Sequence, residues 1–114
     1  MSRIVHHYAL KAGQTLSVEV PSGAEILTAM WRQEPEQNDP TLGEIALYVE
    51  KPCSAAQTKG RLLYGAKRRL EAFYVPTGKA FDQAGFGYVG SVAEPSGDRA
   101  AFWHVFARLT EIDG

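Results

Sequence analysis

The residues best suited to chemistry lie between Lys59 and Lys79. Six of the chain's 12 Lys and Arg residues fall there (Lys59, Arg61, Lys67, Arg68, Arg69 and Lys79) against one acid, Glu71. Arginine suits phosphate because its guanidinium fork makes two aligned hydrogen bonds. The run leads into Pro76-Thr77-Gly78-Lys79. Glycine there lets backbone N–H groups close on an anion, and Thr77 and Lys79 add donors. The Gly-x-x-x-x-Gly-Lys-Ser/Thr spacing of a P-loop is missing, so no nucleotide hydrolysis is inferred. Tyr64, Phe73, Tyr74, Phe81 and Phe86 interleave with the basic residues, which makes base stacking beside a phosphate clamp available. The sequence thus nominates an anion site: Lys67, Arg68, Arg69, Thr77, Gly78 and Lys79 on the charge, Tyr74 or Trp31 stacking, and His104 as a polar contact. The bland alternative is a solvated face, or a match to the acidic block Glu34, Glu36, Asp39, Glu44 and Glu50, with the aromatics as core. Neighbours on a strand point to opposite faces, so only Lys67 and Arg69 of the basic trio would share one.

Other chemistries find less support. His6, His7 and His104 show no His-x-x-x-His or His-x-Glu spacing and have no cysteine partner, so no metal site is expected. Cys53, the only cysteine, cannot form an internal disulfide and sits in a Pro-Cys-Ser turn. Ser91 in Val89-Gly-Ser-Val92 lacks the second glycine and the strand-to-helix setting of a nucleophile elbow. Glu34 and Glu36 lie in a polar loop that would leave them solvated, a poor setting for acid–base chemistry. No cofactor is implied, and an enzyme is the least supported class.

The bulk numbers agree with a small binding or interaction protein. At 114 residues, 45% hydrophobic and 11% aromatic, the chain reads as one domain over 1–114 with enough core to fold without staples. A net charge of -1 excludes a generally basic binder of duplex nucleic acid. No apolar run approaches the roughly 18 residues of a membrane span. His6, His7 and Tyr8 stand where a signal peptide would need an apolar core, so a cytoplasmic protein is expected.

The elements that must position these residues read as strands. Arg3–Leu10 is the first. Thr15–Val20 alternates with Leu16, Val18 and Val20 inward. Ala24–Gln33 follows a Pro-Ser-Gly turn, with Leu27, Ala29 and Trp31 on one face and Ile26, Thr28 and Met30 on the other. Glu44–Glu50 turns Ile45, Leu47 and Val49 inward. Residues 55–66 read as loop, since Gly60 and Gly65 weaken a helix. Lys67–Val75 and Phe86–Ala93 come next, and Gly85, Gly87 and Gly90 suggest a bulge. The chain is organised around Ala100–Arg108. Ala101, Trp103, Val105 and Ala107 share one face; Phe102, His104, Phe106 and Arg108 share the other. Both faces are largely apolar, as for a strand covered on both sides or at a subunit contact. Seven short strands with regular turns predict an all-β fold, an antiparallel sandwich or barrel.

Four segments in order resemble motifs of a family of small, mostly phage-encoded uncharacterised proteins. They are Val20-Pro-Ser-Gly-Ala-Glu-Ile-Leu27, Val75-Pro-Thr-Gly78, Gly87-Tyr-Val-Gly-Ser91 and Phe102-Trp-His-Val-Phe106. Pro76 replaces a glycine of that pattern and Lys79 replaces its histidine. The resemblance implies a compact β domain in a phage or prophage setting, and no reaction. The functional expectation is a small binding protein that sequesters an anionic, nucleotide-like signal in counter-defence within the host cytoplasm. The alternative is a structural or protein-interaction module, a virion accessory or a modulator docking on a host protein, with no small-molecule ligand; a homo-oligomer is expected.

Overall fold

Alternating apolar residues, punctuated by Gly and Pro turns, fold the described residues into strands, with no helix among them. The computed structural model describes residues 3–34, 43–52, 67–82, 84–96 and 99–112. Cys53, Lys59, Arg61, Tyr64 and the 55–66 loop lie outside the described residues. Seven strands follow in order: β1 (Arg3–Leu10), β2 (Leu16–Pro21), β3 (Glu25–Gln33), β4 (Gly43–Pro52), β5 (Lys67–Pro76), β6 (Gly87–Ser96) and β7 (Arg99–Glu111). They form a three-stranded sheet, β1-β4-β3, and a four-stranded sheet, β2-β5-β7-β6. Every pairing is antiparallel, and the two sheets pack as a sandwich.

The core lies between the sheets. Ile45, Leu47 and Val49 of β4 face Val20, Leu70, Ala72 and Val105 of the other sheet, all 3% exposed or less. Fully burying one such valine or leucine is worth about 1.5–3 kcal/mol. The expected inward faces of β2 and β4 hold. On β3 a bulge intervenes: Ile26 pairs with Val49 and Thr28 with Tyr48, so Leu27 is the extra residue. Ile26 therefore joins Trp31 in packing against the core, while Leu27 is left 47% exposed. Strict alternation groups Leu27 with Ala29 and Trp31 on one face; the inserted residue puts Ile26 on that face in its place. A second bulge, between Tyr88 and Gly90 of β6, falls among the glycines where one was expected.

The strand β7 is covered on its inner face and, around Phe106, on its outer face as well, by different means. Its inner face (Trp103, Val105, Ala107, Leu109) packs in the sandwich. On its outer face Phe106 stacks on Phe73 of β5, ring centres 5.5 Å apart. The β5–β6 connection folds over this pair. Phe81 meets Phe106 at 4.6 Å and Phe86 meets Phe73 edge-on at 5.0 Å. Arg108 pins that connection. Its Nε donates to Glu71 at 2.9 Å, its Nη1 to the Ala84 carbonyl at 3.4 Å, and its guanidinium lies 4.3 Å from the Phe86 ring centre.

Candidate functional site

The nominated residues separate along β5. Lys67, Arg68 and Arg69 begin the strand; Tyr74, Thr77, Gly78 and Lys79 end it. Nine steps of a strand set Lys67 about 30 Å from Pro76, so the basic trio and the glycine turn do not form one phosphate clamp. Arg68 and Arg69 point to opposite faces, and each already has an acid. Arg68 Nε bonds Glu111 at 3.0 Å; Arg69 bonds Ser17 Oγ at 3.0 Å and lies 3.7 Å from Glu19. Glu44 and Glu50 of the acidic block pair with Arg32 and Arg3, not with the basic run. Trp31 belongs to the other sheet and packs against the core.

The end of β5 gathers the rest. Lys79 N–H donates to the Pro76 carbonyl at 3.3 Å, and Gly78 has φ +89°. That is a type II turn, which needs the left-handed conformation at its third residue and so favours glycine. The turn presents Thr77 to β7, and Thr77 Oγ1 lies 2.8 Å from His104 Nε2. Tyr88 of β6 lies with its hydroxyl 3.1 Å from His104 Nδ1. A neutral imidazole has one N–H and one bare nitrogen, so it donates to one of these hydroxyls and accepts from the other. The hydroxyl that accepts keeps its own proton for an outside partner. Segments 75–78, 87–91 and 102–106, three of the four that carry the family resemblance, meet at this histidine.

Beside the turn, a groove of about 510 Å³ opens at the edge of β5. The 12–15 loop forms one wall. Phe73 to Pro76, Lys79, Phe81, Asp82 and Trp103 form the rest. Tyr74 and Trp103 meet edge-on, 5.1 Å between ring centres, and Trp103 Nε1 donates to Glu94 at 2.8 Å. Burial, and then the charge of Glu94, push the Tyr74 phenol above its ordinary value of 10.0. Lys79 is exposed at the rim and makes no salt bridge among the described residues. The lining therefore combines aromatic rings with the Lys79 ammonium and the Asp82 carboxylate. No cluster of three or more potential metal ligands occurs among the described residues, and none of their helices is long and apolar enough to cross a membrane.

Tyr88, Glu94, Gln14 and Thr15 were not nominated from the sequence. Tyr88 carried the only readable signal, since it stands in one of the resembling segments. Gln14 and Thr15 reach the groove only because β2 stops short of the end of β5, which depends on strand pairing. The chain belongs to the family described as a domain of unknown function, DUF7352, whose model matches residues 1–113. No curated protein matches the chain, and no solved structure matches it.

Proposed function

We propose that this DUF7352 domain is a small binding protein whose groove at the end of β5 takes an anionic, ring-bearing ligand of nucleotide type. One observation carries the reading: the groove joins exposed Lys79 to the aromatic lining of Tyr74, Trp103, Phe73 and Phe81. The ammonium would meet the phosphate and the rings the heterocycle. Binding alone suffices for this role. In a phage-encoded protein it would withdraw a nucleotide immune signal from the host cytoplasm. The basic trio of β5 stands apart from the groove and would act only on long-range attraction.

The test is thermal unfolding against nucleotides, cyclic nucleotides and dinucleotides. A ligand at a hundred times its dissociation constant stabilises by about 2.7 kcal/mol, a shift of several degrees for a domain of this size. Lys79→Glu should abolish the shift, whereas Arg69→Ala should retain most of it. A flat panel, or a shift that survives Lys79→Glu, overturns the groove as the site.

A second reading, an interaction module or homo-oligomer, is favoured by Val5 and Met30, 50% and 51% exposed on the outer face of the three-stranded sheet. Sedimentation of wild type and Met30→Lys tests it. An oligomer held by this face should become monomeric in the variant, and a monomeric wild type rejects it.

A further inference from the structure

We infer that the groove reads the pairing edge of a nucleobase-like heterocycle through the main chain of Tyr74, an inference that rests on the ligand-binding reading above. Two bonds fix how the β5 backbone is oriented. Thr77 N–H donates to the Phe102 carbonyl at 3.4 Å, and Ile112 N–H donates to the Lys67 carbonyl at 3.3 Å. Main-chain groups alternate in direction along an antiparallel strand. The odd-numbered residues of β5 therefore address β7, and the even-numbered ones address the opposite side. There Arg68, Leu70 and Ala72 meet Val20, Val18 and Leu16 of β2, and β2 goes no further. Tyr74 is the next even residue. Opposite it stands Gln14, whose own N–H turns back to the Lys11 carbonyl at 3.2 Å. Among the described residues no backbone hydrogen bond crosses from the 12–15 loop to Tyr74. Its N–H and C=O therefore lie on the side of β5 that β2 leaves uncovered, where Tyr74 lines the groove.

The length of this free edge selects the occupant. Pro76, the following even residue, has no N–H, and its carbonyl accepts from Lys79. A peptide laid along the edge would gain one bonded pair, short of the run of main-chain bonds from which strand addition draws its affinity. A planar ring with an adjacent donor and acceptor uses both groups at once, and that pattern is the pairing edge of a nucleobase. Phe81, 44% exposed, offers an accessible ring face for stacking. Lys79 meets the anionic group that such a heterocycle carries in a nucleotide. The groove, at about 510 Å³, falls within the roughly 300–1,000 Å³ of small-molecule sites.

The experiment measures binding of the four ribonucleoside monophosphates by calorimetry. The tightest is then compared with its analogue methylated on the pairing edge, and with ribose phosphate. Methylation should weaken binding by about tenfold or more, as expected for losing a matched hydrogen bond and leaving its partner unpaired. Tyr74→Pro deletes the N–H on an open edge, where proline is tolerated, and should lose a further, similar factor relative to Tyr74→Ala, the control that loses the same ring but keeps the N–H. If the methylated analogue binds as tightly as its parent, the base-edge inference fails and the groove remains a ligand site. If ribose phosphate matches the nucleotide, the inference fails in the same way. If no nucleotide binds at millimolar concentration, the groove reading fails and takes this inference with it. The analogue comparison decides the matter even if Tyr74→Pro does not fold.

Discussion

His104 Nε2 lies 2.8 Å from Thr77 Oγ1, so the central strand of the larger sheet holds the turn that ends β5. The same turn carries Lys79 into the groove. Removing the hydroxyl with little change of shape, as in Thr77→Val, should cost about 1 kcal/mol, the usual net worth of one hydrogen bond. Urea unfolding measures it. A variant as stable as wild type would mean that His104 does not hold the turn in solution.

Phe73 and Phe102 lie on the same outer face of one sheet but differ in cover. Phe73 is 7% exposed beneath Phe81, Phe86 and Phe106; Phe102 is 54% exposed. Phe73→Ala should therefore destabilise by about 3–5 kcal/mol, as for a core phenylalanine. Phe102→Ala should stay within about 0.5 kcal/mol of wild type. Equal losses in the two variants would mean that the β5–β6 connection does not seal this face as described.

Much of the fold was legible because one face of most strands is buried. Leu16, Val18 and Val20, or Ile45, Leu47 and Val49, can point only one way once a core exists. The exception, Leu27, fails because a bulge leaves no mark in a pattern of apolar residues. The apolar outer face of β7 was legible in Phe102 and Phe106, of which Phe106 is covered and Phe102 is not. What covers its outer face was not, since Phe81 and Phe86 reach it through a loop rather than a neighbouring strand. The candidate site was half legible. Tyr74 and Lys79 both line the groove, and Thr77 meets His104 beside it, because a turn at the end of β5 must lie beside its partner β7. Arg68 and Arg69 do not join them, because closeness in sequence along a strand is distance in space, and their acids Glu111 and Glu19 come from other strands.

Gly78 isolates the turn from everything it touches. Its φ is +89°, and a Cβ placed on it would meet nothing within 4 Å. Any cost of substitution is thus conformational. Gly78→Val should lose about 1–2 kcal/mol and also weaken ligand binding, because Lys79 follows directly. Gly78→Asn should lose less, since asparagine visits the left-handed region more readily. Melting temperatures of the two variants give the comparison. Equal losses would show that backbone conformation is not what glycine supplies here.

Tyr74 makes the stability of this end of the sheet depend on alkali. Burial and the nearby Glu94 charge raise its folded-state pKa above 10.0. A raised value means that the folded protein keeps the phenol proton more firmly than the unfolded chain does. The resulting stability is present in full below pH 10 or so and declines as pH rises through the folded value, because only the unfolded state then gains by ionising. The phenol is only partly buried, so solvent screening keeps the effect small. Tyr74→Phe has no proton to lose, and its melting temperature should fall less steeply above pH 10 than that of wild type. Glu94→Gln should soften the wild-type decline in part, by removing the charge while leaving an acceptor for Trp103 Nε1. The measurement is a series of thermal melts on all three proteins across the alkaline range. Parallel curves would show that neither burial nor Glu94 acts on the Tyr74 phenol.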